Sequence, residues 1–154
     1  MQIRISCCHD QKLKQHLKEM TLFVLPKLVK GRPLLLKNVK IHLKIDDKIT
    51  EKEQAWGLCY WRGNPYKPRA FSIYLKSNLS NVGIIQTYIH ELVHVKQYLL
   101  GELADYTSGK TRWKKRIYEE DINDQWYNLS SPWEKEAYKI SKSMYLKYYC
   151  PLII

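Results

Sequence analysis

The sequence predicts an α+β domain over residues 1–154, with an N-terminal helix, a small antiparallel three-stranded sheet and two long helices after it. Three observations carry this expectation. Apolar residues recur every three or four positions at Leu13, Leu17, Met20, Val24 and Leu28, which is the spacing of one helix face. At Val39, Ile41, Leu43 and Ile45 they alternate with Lys40, His42 and Lys44, the pattern of a strand with one solvated face. Helical spacing then returns in two long stretches, from Ser80 to Leu100 and from Ser131 to Tyr149.

Taken in order, the first helix runs from about His9 to Lys30, and Pro26 kinks or ends it. Ala55 to Trp61 is aromatic and reads as the second strand, and Gly63-Asn64-Pro65 as a turn. From Arg69 to Lys76, Phe71, Ile73 and Leu75 alternate with Ser72 and Tyr74, giving a third strand and an antiparallel meander. Ser80 or Asn81 caps the next helix, and Gly101 supplies the left-handed residue that stops it. Residues 102–130 read as irregular, first basic and then acidic at Glu119-Glu120-Asp121. Pro132 suits the first turn of the last helix, which ends before Pro151. No repeat or linker divides the chain.

A hydrophobic share of 45% excludes wholesale disorder, and no apolar run approaches the roughly 18–20 residues that span a bilayer. The polar start Met1-Gln2-Ile3-Arg4 lacks the apolar stretch of a secretory leader, and the four cysteines form no CxxC pair. Both point to a cytoplasmic protein with free, packing thiols and no membrane partner. The net charge of +11 is concentrated from Lys27 to Lys44 and from Lys110 to Arg116. Trp113 interrupts the second cluster and is placed to stack on a base, so nucleic acid is a candidate partner beside the simpler reading of a solvated face.

The chemistry lies in His90-Glu91-Leu92-Val93-His94. Imidazoles four residues apart share a helix face one turn apart, so both can reach one zinc ion at about 2.0–2.1 Å. Glu91 is rotated about 100° from His90, beside the metal, where it is placed to take a proton from a water. On a helical wheel Ile85, Tyr88, Leu92, Val95 and Leu99 form a separate core stripe. Thr87 and Gln97 accompany the histidines on a polar flank that faces a cleft.

A catalytic zinc usually takes three protein ligands. No histidine follows His94, so the third must be a carboxylate, best placed on the last helix. Its apolar stripe, Trp133, Ala137, Ile140, Met144 and Tyr148, is flanked by Glu134 on one side and Glu136 on the other. Glu136 shares its flank with Lys139, Ser143 and Lys147, a solvated pattern, which favours Glu134 as ligand and leaves Glu136 as the reserve. Ser131 and Glu134 also match a capping box, the competing use of that glutamate.

With HELVHVKQYLLGEL followed by SPWEKEAY, residues 70–145 resemble a gluzincin-type peptidase, and more closely the SprT-like metallopeptidases often encoded by bacteriophages. The resemblance implies a zincin-like fold, zinc held by His90, His94 and Glu134, and Glu91 as general base. It implies a zinc metalloendopeptidase acting on a protein or peptide in the cytoplasm of a host cell. Tyr98, Tyr106 and Tyr138 are candidates to stabilise an oxyanion, and the strand Arg69 to Lys76 is a candidate edge for an extended peptide. The alternatives are a non-catalytic zinc-containing domain that binds nucleic acid or protein, and an accessory protein whose motif is a relic or coincidence.

Overall fold

The computed structural model describes residues 1–119 and 131–150, so the acidic pair Glu120-Asp121 and Pro151 lie outside the described residues. A strand, β1 (Gln2–Ser6), precedes the first helix, α1 (Gln11–Leu28). A short 3-10 turn (Pro33–Leu36) leads to β2 (Lys40–Ile45) and the six-residue α2 (Asp47–Lys52). The hairpin of β3 (Gly57–Arg62) and β4 (Ala70–Leu75) then feeds the long helix α3 (Asn81–Leu99). β5 (Leu103–Asp105), β6 (Lys110–Trp113) and β7 (Arg116–Glu119) follow, and α4 (Pro132–Tyr149) comes last.

The expected three-stranded antiparallel sheet is instead four-stranded and mixed, in the order β1-β2-β4-β3. β1, β2 and β4 run parallel, and only the β3–β4 hairpin is antiparallel. The connections explain this. α1 carries the chain back between β1 and β2, and such a crossover allows parallel pairing. β3 is spent on the return to β4, so β2 meets β4 and not its sequence neighbour. Five residues in β1 were too few for their alternation to stand apart from the helix behind them.

One sheet face carries Ile5, Ile41, Leu43, Phe71, Ile73 and Leu75 into a single core with α1 and α3. Asp10 starts α1 by accepting hydrogen bonds from the backbone of Lys12 and Leu13 at 2.8 and 3.1 Å. Pro26 lies within the last turn and does not cut the helix short. The two helices are joined inside the core by the Thr21 and Tyr88 hydroxyls, 2.6 Å apart.

α3 differs from the amphipathic helix its wheel describes. Residues from Tyr88 to Leu99, apart from His90, are all buried, so the polar flank is enclosed as well as the core stripe. The sheet and α1 cover one side, while α4 and the β5 strand pack on the other. Glu91, His94, Lys96 and Gln97 therefore sit inside the protein, where polar groups need partners.

Residues 103–119, expected to be irregular, form a second, antiparallel sheet in the order β5-β6-β7. Strands of three and four residues are too short to declare an alternation. Trp113 is only 7% exposed and packs on Trp133 at 6.4 Å, so it is not available to stack on a base. Among the described residues no helix is long and apolar enough to cross a membrane.

Candidate metal centre

His90 and His94 project from α3 toward the first turn of α4, where Glu134 meets both. Glu134 Oε2 lies 3.0 Å from His90 Nε2, and Oε1 lies 3.1 Å from His94 Nε2. The two Nε2 atoms are themselves 3.1 Å apart. Two donors bound to one ion at ~2.0–2.2 Å stand roughly 3.0–3.4 Å from each other, so these three spacings suit a shared metal. Among the described residues, this is the one group of His, Cys, Asp and Glu whose donors converge closely enough to hold an ion. Two imidazoles and a carboxylate form a mixed nitrogen and oxygen donor set, unlike the all-oxygen sets that magnesium and calcium take.

The carboxylate of Glu134 is thus committed to the histidines, while Ser131 makes no side-chain cap hydrogen bond and starts α4 through extended backbone (φ −61°, ψ 148°). Burial acts to raise the Glu134 pKa, but the bonds and charge of His90 and His94 hold it down to about 2. For His94, burial acts downward; the bond to Glu134, the charges of Glu134 and Glu91 and the bond to Gln97 override it and lift the pKa to about 9.

Glu91 is 4% exposed, and its carboxylate makes no hydrogen bond among the described residues. Burial raises its pKa, with His94 and His90 opposing and Glu134 reinforcing the rise. The edge strand β3 closes over it at Gly57, where a Cβ would stand 2.6 Å from Glu91 Oε1 and 2.5 Å from Thr87 Cγ2. Only glycine lets the strand backbone approach so closely.

Gln97 was visible on the wheel beside the histidines but carried no assigned role; the structure gives it one. Its Nε2 donates to the Trp133 carbonyl at 3.0 Å and to Glu136 Oε2 at 3.1 Å. With both amide hydrogens engaged, Oε1 must be the atom 2.9 Å from His94 Nδ1, and it accepts that N–H. The bond orients the ring so that Nε2 faces His90 and Glu134, the way outer-shell partners orient histidines that bind metals. The signal for Gln97 was its place three residues after His94, one turn on along the same face. Gln97→Ala is expected to lower metal affinity about 10- to 100-fold at unchanged stoichiometry, read by competition with a chelating dye.

Glu136 lies outside this donor group, and Lys139, Ser143 and Lys147 along its flank are exposed as expected, but its own carboxylate is held by cations. Lys96 Nζ reaches it at 3.2 Å and Lys114 Nζ at 3.2 Å, while Lys96 also pairs with Glu102 at 2.7 Å. Burial pushes the Glu136 pKa up, and Gln97 and the lysines pull it below the usual range.

Of the three tyrosines, Tyr98 donates to Asp105 and Tyr106 accepts from Arg112 Nε at 3.1 Å, so neither belongs to the site. Tyr138 does adjoin it, its ring 4.6 Å from that of His90. Arg69 to Lys76 does not offer a free edge, because β4 is bonded to β2 on one side and β3 on the other. The edge beside Glu91 belongs to β3.

Fold and site together define an α+β domain with a two-histidine, one-glutamate group able to hold a metal ion between two helices. No family model, curated protein or solved structure matches the chain.

Proposed function

We propose that the chain is a zinc-dependent metallopeptidase, with His90, His94 and Glu134 as ligands and Glu91 as general base. The observation that carries this reading is the pairing of a convergent donor set with a buried carboxylate that has no hydrogen bond of its own among the described residues. Zinc held there would act as a Lewis acid, polarising a carbonyl and acidifying water to a pKa of about 7. Glu91 takes the proton released and returns it to the leaving amine. Tyr138, 54% exposed and against His90, is the tyrosine placed to donate to a developing oxyanion. The free edge of β3 lies next to Glu91 and suits backbone pairing with an extended peptide, which would make the reaction tolerant of side-chain identity.

Two histidines and a carboxylate also occur around iron in oxygenases. Glu91 favours hydrolysis, since a buried base next to the ion has no use in that chemistry. Elemental analysis of purified protein, with hydrolysis of an unfolded protein substrate followed before and after chelation, tests the reading. One zinc per chain and activity that returns with zinc are expected. One iron per chain, or hydrolysis indifferent to chelation, would overturn it.

A further inference from the structure

The four-stranded sheet has a second face, turned away from α1 and α3. Cross-strand register arranges it in three rows: Gln2, Lys40, Ala70, Arg62; then Arg4, His42, Ser72, Tyr60; then Ser6, Lys44, Tyr74, Leu58. None of these twelve positions carries a carboxylate, and four carry a permanent positive charge. Arg4, Lys40, Arg62 and Tyr60 are exposed. The cations flank two tyrosines, whose rings meet edge to face at 6.0 Å, with Lys44 Nζ 5.5 Å over Tyr74. α2 reaches one end of the face, where Ile49 and Glu53 line a shallow hollow with both tyrosines.

We propose that this outer sheet face binds single-stranded nucleic acid, its phosphates on Arg4, Lys40, Lys44 and Arg62 and a base stacked on Tyr60. The inference is independent of the metal centre, which lies on the helical side of the sheet.

Charge complementarity selects a polyanion and excludes a second copy of the same positive face. The aromatic component selects an unpaired strand, because a ring 41% exposed in a flat sheet can stack only on a base that is free of its own neighbours. The hollow is lined by Tyr60, Tyr74 and Ile49 together with Arg62 and the Lys52–Glu53 pair, so a base can rest on its aromatic wall while its phosphate meets the cations beside it. The positive field is visible in His42 at the centre of the face. Burial first, and then the charges of Lys44, Arg4 and Arg62, lower its pKa.

The basic run Lys110 to Arg116 is the weaker candidate. Lys110 is bonded to Glu119 at 2.6 Å, Lys114 to Glu136 at 3.2 Å, and Arg112 to the Lys114 carbonyl at 2.7 Å.

Fluorescence anisotropy of a labelled mixed-sequence DNA oligonucleotide, titrated with the full chain across a salt series, tests the proposal. Arg4→Gln with Arg62→Gln should reduce the slope of log affinity against log salt by about 1.4, at ~0.7 per phosphate contact. Tyr60→Ala should weaken binding about 5- to 100-fold, and Tyr60→Phe, which keeps the ring, should restore it. Lys115→Gln with Arg116→Gln should leave affinity unchanged. Absence of binding at low salt, equal affinity for duplex, or greater sensitivity to the 115/116 pair than to the sheet variants would each overturn the proposal. So would capture by phosphatidylserine vesicles without oligonucleotide binding.

Discussion

Glu91→Gln is expected to leave metal content unchanged and lower hydrolysis by about 10²- to 10⁴-fold, the range of a lost general base. Gln keeps the shape and volume of Glu, so the packing beneath Gly57 of β3 survives. It cannot accept a proton, and the two functions of the position are thereby separated. The direction of the Glu91 pKa adds a second readout. Burial lifts it above the usual carboxylate range, and the base must be ionised to work. In the metal-free protein the Glu91 carboxyl should therefore titrate above an exposed glutamate, and a bound divalent ion should pull that pKa back down, a difference readable by NMR. If the variant hydrolyses substrate at the wild-type rate, Glu91 is not the base.

The second large effect separates the two glutamates of α4. Glu134→Ala should abolish stoichiometric metal binding, because it removes the carboxylate that stands 3.0 and 3.1 Å from the two histidines. Glu136→Ala should keep one metal per chain, since its partners are Lys96, Lys114 and Gln97. Isothermal titration against pH gives the sign of the proton linkage. His94 holds a proton up to about pH 9 in the metal-free protein, and that proton must leave before Nε2 can ligate. Between pH 8 and 7 apparent affinity should fall about tenfold, with close to one proton released per ion. In Glu134→Ala the imidazole loses the carboxylate that raised its pKa. Equal metal loss in both variants would remove Glu134 from its assigned role.

Much of this site could be read before any fold was known, because it is written in local geometry. The i, i+4 spacing of His90 and His94 puts both rings on one side of any helix, whatever surrounds it. The flank of α4 free of lysines singled out Glu134 by the same local argument, and the structure brings Glu134 to the histidines. Gln97 resisted. Its position on the wheel was plain, but its role depends on Trp133 and Glu136, 36 and 39 residues away in the chain. Glu136 was a related case: its flank is solvated at Lys139, Ser143 and Lys147, yet its own carboxylate pairs with Lys96 and Gln97 of α3, contacts that no wheel of α4 can show.

The sequence by itself determined the three long helices, the strands β2, β3 and β4, and the pair of histidines with its neighbouring glutamate. These follow from backbone periodicity and side-chain chemistry within a few residues. Only the tertiary structure decided that β4 is central and β3 the free edge, that α3 is buried nearly all round, and that Trp113 is packed away. It alone revealed the cationic outer face of the sheet, assembled from four strands whose residues lie up to 68 positions apart in one row, from Gln2 to Ala70. The physical reason is the same throughout. Periodicity reports which side of an element differs from the other, whereas partners, edges and shared surfaces are set by long-range packing.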